Sequence, residues 1–369
     1  MSIKIMSVFG TRPEAIKMVP LIKELEKNRN FESIVCVTGQ HREMLDQVLN
    51  IFKVVPKYDL NLMKHKQTLT TLTTSIIEGL EKIYLKEKPK VVLVHGDTTT
   101  TFCATLSAFY QKIDVGHVEA GLRSNDIYFP FPEEINRRLT GVLSRYHFAP
   151  TDLSKQNLLK EGVSEKNIYV VGNTVIDTMK YTIREKYVFK DEFLKKFDFN
   201  KRIIVVTAHR RENWGEPIKN ICKAIKRISN EYKNEIEFVF LTHLNPDVRN
   251  VVYENLNGIN NVNILNPIDI EDTHNLLHRC FFVMTDSGGI QEEAPYLKKF
   301  VLVLREETER QEVLNEGMVK LVGTNDELIY KTSKDFIEGN LKPKSLSKNV
   351  YGDGYTSQKI VKVLEEKYL

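Results

Sequence analysis

The sequence is poor in the features that would assign it at a glance. It has four cysteines in 369 residues: Cys36, Cys103, Cys222 and Cys280. They are scattered beside apolar neighbours and form no CxxC pair. That argues against a disulfide framework and a cysteine metal site, and reads as reduced, mostly buried thiols of a cytoplasmic protein. Long apolar runs are missing too. The stretch 300–304 is among the longest, against the ~20 residues a membrane span requires. Lys4 interrupts the apolar start, and residues 1–9 run into Gly10-Thr11-Arg12 without a cleavage-site pattern, so no signal peptide is expected there. Charge of one sign is scarce: 53 cationic residues face 49 anionic ones, a net +4 spread over the whole length. A dedicated nucleic-acid binder would concentrate its cations in a stripe. A few converging cations would still suit a small anionic ligand. Neither a P-loop nor a GxGxxG fingerprint occurs, which argues against a standard ATPase and weakly against a dinucleotide dehydrogenase. No repeat of 20–50 residues is visible.

What is present is an ordinary globular balance, with 41% hydrophobic and 28% charged residues. At roughly 150 residues per domain the length favours two domains. Short β-branched runs at 4–9, 33–37, 91–95 and 115–118 alternate with helical patterns at 14–27, 68–86, 99–111 and 133–144. The alternation restarts with strand-like runs at 203–207, 238–241, 262–265, 281–285 and 300–304. Helix-like stretches lie at 216–232, 246–256, 273–279 and 290–297. Continuous apolar strands between helices signal parallel sheets covered on both faces. The expected fold is therefore α/β: two Rossmann-like doubly wound domains facing across a cleft. The first spans 1–172 and is joined by a C-terminal helix at 355–369; the second spans 173–354. The hinge is placed within about 172–201, because 186–202 is dense in Lys, Asp and Phe and carries no strand signal. Ligands in such sheets bind beyond the carboxyl ends of the strands, so the residues there carry the functional reading.

After the first strand comes Gly10-Thr11-Arg12-Pro13-Glu14-Ala15-Ile16-Lys17. Gly10 allows a tight turn and Pro13 suits a first helical turn. Arg12 and Lys17 then lie near a helix N-terminus, which attracts anions; a plain turn with two solvated cations is the alternative. Asp286-Ser287-Gly288-Gly289 precedes another helix. Its paired glycines let a diphosphate approach backbone N–H groups, or simply let a helix pack closely on its strand. His209-Arg210-Arg211 ends a strand where Arg could grip phosphate oxygens in bidentate fashion, or form a salt-bridged loop. Asp97 follows the strand at 91–95, Glu119 sits between two glycines after the strand at 115–118, and Glu133 opens a helix. Each alone is an ordinary cap or dipole-favoured acid. Together they could serve as general acid and base on either side of a bound ring. His243 stands alone at a strand end. His274 and His278 are four apart and could face one metal, but they lack the Glu of the zinc-protease motif, so an amphipathic helix is preferred and no metal site is expected.

The blocks Val8–Lys17 around Gly10-Thr11-Arg12-Pro13-Glu14, His95-Gly96-Asp97-Thr98-Thr99, Gly116-His117-Val118-Glu119-Ala120-Gly121-Leu122-Arg123 and Asp286-Ser287-Gly288-Gly289-Ile290-Gln291-Glu292-Glu293-Ala294-Pro295 resemble the non-hydrolysing UDP-N-acetylglucosamine 2-epimerases. Gln40-His41-Arg42, Pro132-Glu133-Glu134, His209-Arg210-Arg211-Glu212-Asn213, His243-Leu244-Asn245-Pro246 and Tyr351-Gly352-Asp353-Gly354 follow in the family's order. The resemblance covers essentially the full chain. It implies a glycosyltransferase-B type fold, a homodimer, and interconversion of UDP-GlcNAc and UDP-ManNAc with no metal or redox cofactor and with UDP as the released group. It implies that Arg12, Lys17, Asp97, Glu119, His209, Ser287, Gly288, Gly289, Glu293 and Arg310 contact substrate. Asp97, Glu119, Glu133 and His209 would be catalytic. Ile268 and Thr273 stand where some relatives carry Gln and an aromatic residue near the uracil, and Gln311 where Pro usually follows. Some relatives bind a second, regulatory substrate molecule. Gln40, Arg210 and His243 match that site, Glu133 borders it, and Glu43 and Lys66 replace the Gln and Arg of those relatives.

The chemistry such an enzyme needs fits these residue types. The C2 hydrogen of the sugar is far too weak an acid for a carboxylate. Once the C1–O bond to UDP breaks, positive charge at C1 acidifies it. Loss of UDP leaves 2-acetamidoglucal, and re-addition with C2 protonated from the opposite face inverts C2. Proton-transfer groups are needed on both ring faces, and cations and helix N–H groups must stabilise departing UDP. Three alternatives share the pattern: a glycosyltransferase needing an acceptor, a non-catalytic sugar-nucleotide sensor, and a hydrolysing relative releasing free UDP and ManNAc. Membrane and nucleic-acid partners are not expected.

Overall fold

The computed structural model describes residues 2–39, 42–62, 67–243, 245–308, 310–315, 317–343 and 349–369. The chain divides into two compact units, one of Met1–Thr178 with Val350–Leu369, the other Met179–Asn349.

The first unit is built on strands β1 (Ile3–Phe9), β2 (Phe31–Val37), β3 (Tyr58–Asp59), β4 (Val91–His95), β5 (Asp114–Val118), β6 (Tyr146–Ala149) and β7 (Ile168–Val170). They form one sheet in the order β3-β2-β1-β4-β5-β6-β7, parallel throughout. The second unit carries β8 (Arg202–Ala208), β9 (Ile236–Thr242), β10 (Val262–Leu265), β11 (Phe282–Thr285), β12 (Phe300–Val303) and β13 (Val319–Leu321). Its sheet runs β10-β9-β8-β11-β12-β13 and is also parallel. Every residue of β4 and of β11 is buried, as strands covered by helices on both faces require. Met6, Val8, Ile34, Val92 and Val94 pack with Ile76 and Leu80 in the first unit. Ile204, Val206, Phe238 and Phe240 pack with Ile221, Ile225 and Ile228 in the second.

Both sheets reverse their winding once, between β1 and β4 and between β8 and β11. Adjacent loops leave in opposite directions there and open a crevice beyond the strand ends. Of the residues singled out from the sequence, Arg12 and Asp97 follow β1 and β4, and His209 and Ser287 follow β8 and β11. Local chemistry starts each helix that follows. Thr11 and Glu14 form a reciprocal capping box, with Pro in the first turn, at the head of helix Arg12–Lys27. Thr98 accepts from Thr101 N to start helix Thr99–Tyr110.

The chain passes between the units after Thr178, inside the expected 172–201, and returns at Val350, ahead of the C-terminal helix. Asn173 N donates to Tyr351 O, and Thr356 N and Ser357 N donate to the Asp177 carboxylate, so 173–177 is bound to the C-terminal segment. The 186–202 stretch, expected as part of a hinge, packs into the second unit. The rings of Phe189 and Phe199 stack at 5.1 Å with Arg279 over both, and Tyr187 donates to Asp272. Its phenylalanines serve a local core, which explains a Phe-rich stretch without a strand. The short strands β3, β7 and β13, the strand β6, and helices such as Arg42–Phe52, Thr174–Thr182 and Asp326–Ile337 were not expected. Their apolar patterns are too brief or too diluted by polar residues to stand out.

Candidate active site

In the first unit the crevice side is lined by acids held by cations. Glu119 follows β5 and adopts a left-handed backbone, φ +63°, a conformation that residues other than glycine keep only when surroundings enforce it. Those surroundings are visible. Lys17 donates to its carboxylate, and Asn173 Nδ2 donates to Oε2 at 2.6 Å. His95 Nε2 lies 3.8 Å from the same oxygen. Burial pushes the His95 ring down to about 4, with Glu119 pulling the other way, so the ring is neutral at pH 7. Asp97 follows β4, is part-exposed, and accepts from Arg137. Asn136 Nδ2 donates to Asp97 O at 3.0 Å. The loops bearing the two acids are joined: Gly96 N donates to Val118 O at 2.9 Å, and His117 Nε2 donates to Gly96 O at 2.7 Å. The spacing between Asp97 and Glu119 is thereby set by backbone.

Lys17 is therefore engaged with Glu119, where the sequence suggested a phosphate contact beside Arg12. Arg12 is the first residue of its helix and half-buried. Glu133 is the half-buried first residue of helix Glu133–Leu143. Its neighbour Glu134 is fully buried and accepts from Arg137, Arg138 and Ser124 N. Arg137 thus ties Asp97 to the Glu134 network.

Glu14, Arg137 and Asn173 received no role from the sequence. Glu14 is buried and accepts from Gly10 N, Thr11 N, Thr11 Oγ1, Thr98 Oγ1 and Thr101 Oγ1, linking the loops after β1 and β4. Burial raises its pKa, opposed by those hydrogen bonds. A carboxylate in a run Thr-Arg-Pro-Glu signals a capping box; nothing local signals the second loop.

The second unit offers the opposite arrangement. Ser287 caps helix Gly288–Tyr296 without a side-chain capping bond, leaving Gly288 and Gly289 at its first positions. A Cβ on Gly288 would lie 2.5 Å from Arg310 Cζ, so only glycine lets the guanidinium lie against the helix start. Arg310 is buried and donates to the buried Glu292 at 3.0 Å. Helix N–H groups and an arginine at one place suit phosphate oxygens. Glu293, one turn on, is buried with His274 Nε2 3.6 Å from its Oε2. His209 follows β8, its Nδ1 3.1 Å from Asp286 Oδ1. The rings of His209 and His243 stack at 6.0 Å. Burial lowers the His243 pKa, and His209 adds to the effect. Arg210 is half-buried beside them.

His274 is fully buried with Nδ1 on Thr182 Oγ1 at 2.7 Å, whereas His278 is exposed, so the two do not face one ion. Among the described residues no group of three or more His, Cys, Asp or Glu is placed to hold a metal. No helix among them is long and apolar enough to cross a membrane. Of the regulatory residues, Gln40 and Lys66 lie outside the described residues, as does the side chain of Glu43.

A family model described as UDP-N-acetylglucosamine 2-epimerase matches residues 23–365. The UDP-N-acetylglucosamine 2-epimerase of Bacillus subtilis is 48% identical over 364 residues, 98% of this chain and 95% of that protein. The crystal structure of UDP-GlcNAc 2-epimerase from Neisseria meningitidis bound to UDP-GlcNAc aligns with a TM-score of 0.90 at 47% identity, covering 99% of this chain and 100% of that one. The Methanocaldococcus jannaschii enzyme, solved in complex with UDP-GlcNAc and UDP, aligns at 0.81 and 37% identity, again over 99% and 100%.

Proposed function

The chain belongs to the UDP-N-acetylglucosamine 2-epimerase family and is an isomerase of that kind, and on this premise we propose that it interconverts UDP-GlcNAc and UDP-ManNAc without net hydrolysis, by anti elimination of UDP through 2-acetamidoglucal and re-addition. The observation that carries the reading is the pair of anchored acids, Asp97 on Arg137 and Glu119 on Lys17 and Asn173, at the ends of the adjacent strands β4 and β5. Held carboxylates keep proton-transfer geometry while the ring changes shape.

In this reading Asp97, Glu119 and Glu133 of the first unit serve the sugar. The second unit serves the diphosphate: Ser287, Gly288 and Gly289 through helix N–H groups, Arg310 through charge, His209 through a ring nitrogen, and Glu293 through the nucleoside. Arg12 adds a cation at the head of its helix. As the C1–O bond breaks, charge gathers on the β-phosphate, and donors already in place stabilise it without reorganising. A carboxylate then takes the acidified C2 proton, and another returns a proton from the opposite face. UDP must stay bound throughout, since loss of UDP would leave the glycal stranded.

The bound UDP-GlcNAc and UDP of the Neisseria and Methanocaldococcus relatives support the assignment of substrate and nucleotide. The enzyme works in the cytoplasm and supplies ManNAc units for cell-surface polysaccharide. It acts as a homodimer. Ile135, Leu139 and Val142 expose one apolar face of helix Glu133–Leu143, and Phe109 and Tyr110 are exposed on the helix packed beside it. A patch of that kind marks an interface. A second substrate molecule regulates the rate through Arg210 and His243, with Gln40, Glu43, Lys66 and Glu133; sigmoidal dependence on UDP-GlcNAc supports this, and hyperbolic kinetics in both directions removes it.

The test is proton NMR of UDP-GlcNAc with purified protein in heavy water and no added cofactor or acceptor. UDP-ManNAc should accumulate carrying one deuterium at C2 and none at C3 or C4. Product that keeps its C2 hydrogen rules out elimination and re-addition. Accumulation of free ManNAc and UDP identifies a hydrolase, and turnover only with an acceptor identifies a transferase.

A further inference from the structure

Asp286 follows β11 and stands one residue before the glycines of the phosphate-type helix start, with Ser287 between. It is fully buried. Its Oδ2 accepts from His209 N at 2.7 Å, Arg210 N at 2.8 Å and Asn213 Nδ2 at 2.9 Å. Its Oδ1 lies 3.1 Å from His209 Nδ1, an ion-pair distance outside hydrogen-bond angles, and no hydrogen bond satisfies this buried oxygen. A buried carboxylate with no partner would become neutral. Burial does push Asp286 up, but the His209 ring and the two backbone N–H groups outweigh it and hold the acid below its ordinary value. The group is a carboxylate at neutral pH with only lone pairs to offer, so the hydrogen bond that a small turn of the ring would complete takes its hydrogen from His209 Nδ1.

We propose that Asp286 is a positioning residue: it fixes His209 in the tautomer with hydrogen on Nδ1, leaving Nε2 as the nitrogen that gives and takes a proton at the leaving diphosphate. The proposal rests on the reading that His209 meets the nucleotide, and adds the group that sets its state. A ring held with its hydrogen on Nδ1 presents Nε2 as its remaining lone pair. The other charged or titratable groups at this place are His243, stacked on the ring, Arg210 on the same loop, and the Glu212–Arg305 ion pair at 2.6 Å. None of them is seen to contact Nδ1. Through one side chain the structure thus couples the loop after β8 to the loop after β11, the two loops that flank the winding reversal of this unit.

The loop has support beyond Asp286, since Asn213 Nδ2 also donates to Leu304 O at 3.0 Å. Asp286→Asn can therefore keep the fold. The amide oxygen replaces Oδ2 for the backbone donors, and the amide nitrogen then faces Nδ1 as a donor. That forces His209 to accept at Nδ1 and moves its hydrogen to Nε2. Inverting a catalytic histidine in this way costs up to ~10⁴ in rate in other enzymes.

Three measurements on the full-length enzyme decide it. Nitrogen-15 NMR of histidine-labelled protein, with the His209 signals identified by their loss in His209→Ala, should show Nδ1 protonated in the unaltered enzyme and Nε2 in Asp286→Asn. The kcat of Asp286→Asn should fall at least a hundredfold while its calorimetric UDP affinity changes less than tenfold. Combining Asp286→Asn with His209→Ala should cost no more than His209→Ala alone. An unaltered enzyme whose His209 carries its hydrogen on Nε2 alone overturns the proposal even if Asp286→Asn fails to fold. So does full kcat in a folded Asp286→Asn. If instead His209→Ala leaves UDP affinity unchanged, the nucleotide role of His209 falls first, and the proposal falls with it.

Discussion

The two crevices of this molecule arise from the same topology and have opposite chemistry. In the first unit the reversal between β1 and β4 is surrounded by carboxylates, and the nearby cations Lys17 and Arg137 are turned to those acids. In the second, between β8 and β11, the acids Asp286 and Glu292 are fully buried. There a helix start lies beside an arginine held by Glu292 and a histidine held by Asp286. A doubly wound sheet thus supplies a place for a ligand and says nothing about which one. The loop residues decide, and what matters is which partner of each ion pair is spent inside the protein. Where cations are spent holding acids, the site suits proton transfer. Where acids are spent holding a histidine and an arginine, the site suits phosphate.

If that division of labour holds, the largest effects come from the first unit. Asp97→Asn, Glu119→Gln and Glu133→Gln should each lower kcat by ~10²–10⁴, with calorimetric UDP affinity close to that of the unaltered enzyme. Shared roles would make the losses less than additive. A large loss of UDP affinity in these variants would break the contrast.

Asp286→Asn aside, effects in the second unit should be smaller and appear in binding. Charge-assisted hydrogen bonds contribute roughly 1.5–3 kcal/mol each, so His209→Ala should weaken UDP binding about tenfold to a hundredfold. Arg12→Ala, the first unit's cation, belongs to the same class. Gly288→Ala sharpens the point, because its methyl would meet the Arg310 guanidinium, the movable end of a side chain. The unit should fold and UDP affinity should fall by a similar factor. Unchanged affinity in all three, by calorimetry on folded protein, would remove the diphosphate assignment.

Acid should also separate the units. His95, His117 and His147 of the first unit are buried, and burial pushes them down to about 4, 3 and 4. An unfolded histidine takes its proton near pH 6.5. Between about 6.5 and 4 the unfolded chain therefore binds more protons, and each ring removes up to about 1.4 kcal/mol of stability per pH unit as pH falls. His243 and His278 of the second unit are lowered too, but stand exposed. Asp286, lowered below its ordinary value, adds loss only under stronger acid, as pH falls below about 4. Hydrogen exchange on a pH series should show β4, β5 and β6 losing protection before β8 and β11. Simultaneous loss would refute this.

The smallest catalytic effect should come from the exposed apolar helix face. Val142→Glu with Leu139→Lys should shift the protein from dimer to monomer in analytical ultracentrifugation while leaving monomer UDP affinity within a few-fold. A monomeric unaltered enzyme would dispose of that interface.

Much of this was legible in the residues themselves. Long apolar strands such as Val91–His95, alternating with helical patterns, announce a covered parallel sheet, because a strand packed on both faces buries every side chain. Thr11, Pro13 and Glu14 announce a helix start, because capping is local chemistry. The resemblance to one family followed from the order of the loop motifs. The short strands β3, β7 and β13 were not legible, since two or three residues hold no period. Nor was the role of 186–202, whose phenylalanines look like a charged linker until Arg279 covers them.

What sequence by itself determined was the inventory: two doubly wound units, and the acids, cations and glycines placed at strand ends. What only the tertiary structure decided was the pairing. Lys17 and Glu119 are more than a hundred residues apart, as the sequence numbering shows, and so nothing local relates them; they meet because β1 and β5 flank β4 in one sheet. Asp286 reaches His209 because β8 and β11 are neighbours in the other. A charge acquires its function from the partner it is given at about 3 Å, and that distance is set by the order of strands in the sheet.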